Sequence, residues 1–449
     1  MARRLNATDA YLIMQNLVKQ ATGEESITVT DVSSYISAGE KVMATGFENT
    51  LEALSIVLGR TIIAIRPYKS RASVIRQTDL SLYKTRLRKI SYYSDKPLPT
   101  GAWNTDIFTK NLGDGRDNTD GPDNAGGTKD AVKSMWEQHP VYPLEMNFAG
   151  FDTWDEAITM YKKQLRIALR DPNEMAAYVN GIMTAKGNDI EMEKEGFDTM
   201  TLTGYFGALF AAESVLNCGC AVNLTAEYNN YYSTSYTTTQ LLTTYLESFA
   251  MFYASFIQTM LDDFKRNTVK RHWNPTKTVN GRTLNLLRHT PADRVKFVQY
   301  DPFWKKVEAT VFPKVFNENY MKVDNFESFT YWQSNTPGNQ AKIDVYPALP
   351  DITGTHSGAQ YKGDRVTLYY VLGAIFDEDA CVTAHELDDS DATPMEARKK
   401  YYNIWWNFVK NSIIDITEQG VLLYMADTSS GGKSTSVDPS ILDGSVTFQ

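Results

Sequence analysis

Residues 112–128 read LGDGRDNTDGPDNAGGT. The stretch is dense in Gly, Asp and Asn and has no apolar periodicity, which marks a loop tip. The chain on either side is β-prone. Upstream, Tyr83, Arg86, Arg88, Ile90, Tyr92 and Tyr93 form a long polar run, and downstream Val141, Tyr142, Leu144 and Met146 suit a returning strand. Residues 81–150 therefore predict a long two-stranded projection around the tip. An isolated hairpin is marginally stable in water. This one needs a pairing surface from elsewhere, and a neighbouring copy of the chain is the expected source.

Charge is distributed unevenly around that projection. The chain has 449 residues and a formal net charge of −9, which does not suit a protein that grips nucleic acid. Yet residues 59–90 carry a run of Lys and Arg, among them Arg60, Arg66, Lys84, Arg86, Arg88 and Lys89, against Asp79 alone. Such a run is expected to face acidic surfaces, for example Asp189, Glu191, Glu193 and Glu195, and to set the register of a contact more than its strength. The 26 tyrosines suit surfaces buried against a partner. Three cysteines are too few for a disulfide framework. The opening MARRLNATDAYLIM lacks the apolar core of a signal peptide, and no stretch has the length and apolarity of a membrane span.

Helical and strand signals fill the rest. Thr8 or Asp9 caps a helix over 11–18, residues 51–59 suit a short helix, and 61–65 a strand. Thr153 with Glu156 makes a capping box, and Trp154, Ile158, Tyr161, Leu165 and Leu169 recur at helical steps. Asp171 and Pro172 restart a helix, and 199–215 is apolar and helical. Cys220, Val222 and Leu224 alternate as a strand, and a Tyr/Thr/Ser-rich joint covers 228–239. The apolar stripe Leu242, Tyr245, Phe249, Phe252, Phe256 and Met260 predicts a core helix ending near Arg266. Residues 294–300 read as a buried strand, and Asp301 with Pro302 starts another helix. Residues 325–365 are loop-rich and 366–375 a strongly apolar strand. Residues 396–415 and 421–425 read either as two neighbouring strands or as a helix and then a strand.

Catalytic and metal-binding patterns are missing. His385-Glu386 starts like a zincin helix, but position 389 is Asp, so His385 reads as a surface loop histidine. Cys218-Gly-Cys220 has no second pair or histidine to complete a zinc site and reads as small residues packing under a strand. The Asp-rich tip fails the EF-hand frame, because Arg116 occupies the first ligand position. The carboxylates of 377–391 form a run, which reads as a solvated face. No Walker A, Rossmann or nucleophile-elbow motif occurs. No enzyme activity, metal or cofactor is expected.

Three segments carry a resemblance. They are FDTWDEAITMYKKQLRIALRDPNEMAAYVNGI (151–182), DRVKFVQYDPFWKKVEATVFPKVFNENY (293–320) and ARKKYYNIWWNFVKNSIIDITEQGVLLYM (397–425). In that order behind a projecting hairpin, the chain resembles the Hong Kong 97-type major capsid proteins of tailed bacteriophages. Within them it is most similar to the phi-29 group of small podoviruses. The resemblance implies an α+β fold with an N-terminal arm (1–48), a peripheral domain (49–80, 151–285 with its spine helix, and closing strands 397–427), an extended E-loop (81–150), an axial domain (286–396) and a loose tail (428–449). It implies a subunit that assembles through hexamers and pentamers into an icosahedral shell enclosing double-stranded DNA, made in the host bacterial cytoplasm and resident in the virion. Portal, scaffolding and decoration proteins are the implied partners, with no membrane. Arg66, Lys84, Arg86, Arg88, Lys89, Asp114, Asp117 and Asp120 are the expected inter-subunit contacts. A portal, sheath or tail component is the alternative. The stretch 325–365 is longer than the family's axial domain leads one to expect, and no Lys–Asn crosslinking pair can be assigned.

Overall fold

A computed structural model of the chain describes residues 7–23, 28–44, 75–77, 86–94, 141–149, 152–164, 172–279, 282–311, 326–349, 361–362, 365–394, 396 and 398–427. The readings at 51–59, 61–65, 112–128 and 428–449 lie outside the described residues. The chain divides into two units, one of Met1–Leu87, Ala149–Thr203 and Cys381–Ile413, the other of Arg88–Phe148, Gly204–Ala380 and Ile414–Gln449.

The first unit is built on a four-stranded sheet in the order Arg76–Gln77, Cys381–Ala392, Tyr401–Ile414, Asp152–Tyr161. The last two strands run antiparallel in unbroken register from Tyr401 opposite Tyr161 to Lys410 opposite Asp152. Side chains alternate across a strand, so Tyr402, Ile404, Trp406 and Phe408 all enter the core. They meet Ile158 and Met160 of the paired strand, and Trp154 stacks on Phe408 at 4.4 Å. Helices Ala7–Thr22 and Val32–Ala44 bring Met14, Leu17, Val18, Tyr35 and Val42 to the same cluster. Each such buried side chain is worth about 1.5–3 kcal/mol over exposure.

One expectation changes here. Residues 152–161 are strand and not helix. The step of four between Trp154 and Ile158 is also two steps of two, and ten cross-strand partners outweigh the local capping signal. Glu156 accordingly pairs with Lys186 and takes no capping role. Within 1–48, the segment read as an arm, Ala7–Thr22 and Val32–Ala44 are two helices packed on each other. The second begins at Asp31, whose carboxylate accepts the Ser34 amide at 2.8 Å.

One helix, Pro172–Leu216, replaces the separate helical stretches expected there, and it starts at the predicted proline. Two of its acidic residues pair locally: Asp189 with Lys186 at 3.2 Å and Glu191 with Lys194 at 3.7 Å.

The second unit holds a five-stranded sheet in the order Ala221–Asn223, Gly420–Tyr424, Val371–Asp377, Val295–Tyr300, Phe326–Phe329. Val371–Asp377 is buried at every residue, as expected of a strand covered on both faces. Tyr205, Phe206 and Phe210 pack edge-on against Phe376, Trp332 and Tyr424. Helix Leu246–Phe264 buries Phe249 and Tyr253 against Phe303 of helix Asp301–Val311.

Local differences have local causes. Leu224 opens a helix, Leu224–Tyr232, because the Asn223 side chain accepts the Thr225 amide. The joint at 228–239 thus contains helical residues, followed by Thr238–Leu242 with a Thr237/Gln240 capping box. The run 366–375 is two strands, Val366–Leu368 and Val371–Asp377. Tyr401–Ile414 and Gly420–Tyr424 are both strands, but they belong to different sheets. The carboxylates at 377–379 are no solvated face. Asp377 is buried, and with Glu378 and Asp379 it surrounds Arg294.

Candidate functional site

The base of the predicted projection forms as read. Strands Arg86–Tyr92 and Pro143–Ala149 pair with each other in a two-stranded sheet. Their alternation divides the ribbon into two unlike faces.

One face is clamped inside the second unit. Lys89 forms ion pairs with Asp415 and, at 2.5 Å, with Glu418. Arg288 bonds to the buried Ser91 hydroxyl at 2.6 Å and lies 3.2 Å from the far oxygen of Glu418. Asp415 is itself oriented by the Thr417 amide and hydroxyl, at 2.8 and 2.7 Å. Ser94 and Asn285 exchange backbone hydrogen bonds at 2.8 and 3.2 Å, and the Lys277 ammonium sits 5.2 Å over the Tyr142 ring. Burial opposes the charge on Lys89, but Asp415 and Glu418 together carry its ammonium above the usual lysine value. Burial pushes the Glu418 carboxyl up, against the pull of Lys89 and Arg288. The cluster holds two cations and two carboxylates, so its charges balance where water is scarce.

The other face is open. Ile90, Tyr92 and Val141 are 46%, 59% and 69% exposed, and Pro143, Glu145 and Asn147 continue the outward series. Apolar side chains lined along the open face of a narrow ribbon suit contact with a partner more than contact with solvent. On the same face the Asn147 side-chain amide donates to the Glu145 carboxylate at 3.2 Å.

No protein-family model matches the chain, and no curated protein sequence matches it. Several solved structures with which it shares partial likeness come from phages. One is a chain from the capsid structure of Staphylococcus phage Andhra, with 10% identity, 79% of this chain and 83% of that chain covered, and a TM-score of 0.45. Another belongs to the structure of the head fiber and inner core protein gp22 of native bacteriophage P68, with 10% identity, coverages of 78% and 83%, and a TM-score of 0.40. A third is from the capsid structure of the Cyanophage P-SCSP1u, with 12% identity, coverages of 79% and 86%, and a TM-score of 0.35. None of these scores reaches the level at which a shared fold is established.

The expected contact residues fare unequally. Arg66, Lys84, Asp114, Asp117 and Asp120 lie outside the described residues. Arg86 and Arg88 sit on the first ribbon strand. Lys89 is committed within its own chain. Sequence reading missed Asp415, Glu418 and Arg288, and nothing local marks them: Lys89 and Asp415 stand 326 positions apart.

His385 is not a loop residue. It lies on strand Cys381–Ala392 of the first unit, buried against Asp198. Among the described residues no group of His, Cys, Asp and Glu is arranged to hold a metal ion, and no helix is long and apolar enough to cross a membrane.

Proposed function

We propose that this protein is a virion structural protein of a tailed bacteriophage and, more narrowly, the major capsid protein that builds its shell. The observation that carries the reading is the two-faced ribbon. One face is fastened by Lys89, Arg288, Asp415 and Glu418, while Ile90, Tyr92 and Val141 stand exposed on the other. A ribbon fixed at its base, with Ile90, Tyr92 and Val141 exposed beside Glu145 and Asn147, is built to be completed by another molecule. Covering what remains exposed of Ile90 and Val141 contributes about 1–2 kcal/mol each. Contacts of that size become decisive when every copy makes them.

In this reading residues 81–150 are the E-loop, the peripheral domain comprises 49–80, 151–285 and 397–427, and 286–396 is the axial domain. Copies join as hexamers and pentamers in an icosahedral shell around double-stranded DNA that the acidic chain does not bind by sequence. Arg66, Lys84, Arg86, Arg88, Asp114, Asp117 and Asp120 contribute contacts between copies, and Lys89 drops out of that set. Portal, scaffolding and decoration proteins are its partners, and it performs no catalysis.

The test is electron microscopy of the purified chain, with and without a scaffolding protein, alongside the variant Ile90→Glu/Val141→Glu. Closed shells from the wild type and smaller species from the variant are expected. Tubes or rings would favour a sheath, tail or portal component, and a strictly monomeric wild type at high concentration would overturn the reading.

A further inference from the structure

In the second unit the chain passes from helix Pro172–Leu216 to strand Ala221–Asn223 through Cys218-Gly219-Cys220. This corner is held from several sides. The Glu213 carboxylate accepts the Cys220 amide at 2.8 Å and lies 3.8 Å from the Cys218 sulfur. The Arg271 amide donates to the Cys218 carbonyl at 2.8 Å, and its guanidinium donates to the Gly219 carbonyl at 2.8 Å. The Leu422 amide fixes the Cys220 carbonyl at 2.8 Å. Gly219 has φ +76°, which brings the flanking residues round a tight turn, and a Cβ there would come within 3.0 Å of the Arg271 guanidinium. The two cysteines are separated only by Gly219, and one carboxylate, that of Glu213, reaches both the Cys218 sulfur and the Cys220 amide. They differ in access, since Cys218 is half-buried and Cys220 fully buried.

We propose that Cys218 and Cys220 are a redox-active dithiol that closes to an internal disulfide on reaction with a small-molecule disulfide. Cys218 is the attacking thiol, because it is half-buried and reachable where Cys220 is fully buried. The hydrogen bond from Cys220 holds it below the usual thiol value, outweighing its burial, whereas the same bond and burial push Cys220 well up. The Cys218 thiolate attacks one sulfur of the small disulfide, a mixed disulfide forms, and one small thiolate leaves. Cys220 gives its proton to that thiolate and attacks the Cys218 sulfur, and the second small thiolate leaves. Two protein thiols are oxidised to one disulfide, and the small disulfide is reduced to two thiols. The closed loop is very short, so the bond is a reversible mark more than a stabilising brace. Cys381 is a natural control, because it is fully buried in the first unit and burial raises its thiol far above the usual value.

The experiment uses the full chain, purified reduced and incubated with oxidised glutathione, then read by intact and peptide mass spectrometry. The wild type is expected to lose the mass of two hydrogens, mapped to one peptide holding both Cys218 and Cys220. Cys220→Ser is expected to retain one glutathione on Cys218, and Cys218→Ser to react several-fold more slowly. A wild type that stays fully reduced, or that keeps glutathione on Cys218 without forming the internal bond, overturns the proposal.

Discussion

Asp198 on helix Pro172–Leu216 and His385 on strand Cys381–Ala392 are joined by a hydrogen bond of 3.1 Å between side chains that are 0% and 3% exposed. The Phe197 ring meets the imidazole edge-on at 5.2 Å. A buried carboxylate that loses its partner is left without compensation, at a cost of about 3–5 kcal/mol. His385→Leu is expected to destabilise by that amount. The double variant Asp198→Leu/His385→Leu should recover a large part, since it buries no charge. Urea unfolding of the wild type, both singles and the double measures the coupling. A loss below about 1 kcal/mol in His385→Leu would mean that the pair does not support the unit.

Lys89 makes the ribbon base sensitive to alkali. Its ammonium is raised above the usual 10.5 by Asp415 and Glu418 despite burial. A raised cation contributes stability that is fully present below its unfolded value and lost as pH climbs through the folded one. Lys89→Met is expected to lower stability at pH near neutrality, and the gap from the wild type should close as the pH is taken above 10.5. Denaturant midpoints of both proteins across that range provide the check, and a gap independent of pH would refute the assignment.

His272 works at the opposite end of the scale. It is fully buried, with ring nitrogens 3.0 Å from the Lys270 carbonyl and 2.9 Å from that of Leu286. Burial pushes its value below the usual 6.5, against the two carbonyls. Folding therefore favours the neutral ring: the contribution is complete above 6.5 and declines as pH falls through the depressed folded value. Replacing His272 by Gln should flatten the acid limb of stability between neutrality and mild acid, read by thermal melts at a series of pH values.

Gly373 sits at a bulge in the central strand of the five-stranded sheet, where the register shifts between Val371 and Gly373. A Cβ at this position would fall 2.2 Å from the Val298 carbonyl oxygen, which is backbone and cannot swing aside. Gly373→Ala is expected to cost about 3 kcal/mol, in the upper range for overpacking, measured by urea unfolding. Gly196→Ala, where a Cβ meets nothing within 4 Å, is the matched control and should be neutral or mildly stabilising.

Much of the architecture was legible where one local pattern had one consequence. The stripe through Phe249, Phe252 and Met260 reads as a helix because no strand uses that spacing, and helix Leu246–Phe264 buries all three. Pro172 and the Asp301-Pro302 pair start helices where proline is tolerated. The ribbon base was legible from its β-prone flanks alone. The clamp beneath it was not, since Asp415, Glu418 and Arg288 carry no mark that sets them apart from other charged residues. Asp198 and His385 failed to show for the same reason: they are 187 positions apart.

By itself the sequence determined which residues seek burial and where the helices at Pro172 and Asp301 begin, because periodicity and the placing of proline act over one or two turns of chain. It also determined that the ribbon around 112–128 has two β-prone flanks. Only the tertiary structure decided that 152–161 is a strand, that Tyr401–Ile414 and Gly420–Tyr424 belong to different sheets, and that Lys89 spends its charge at home. Those outcomes depend on segments far apart in the chain, where pairing and shared burial outweigh the small local preferences that a sequence displays.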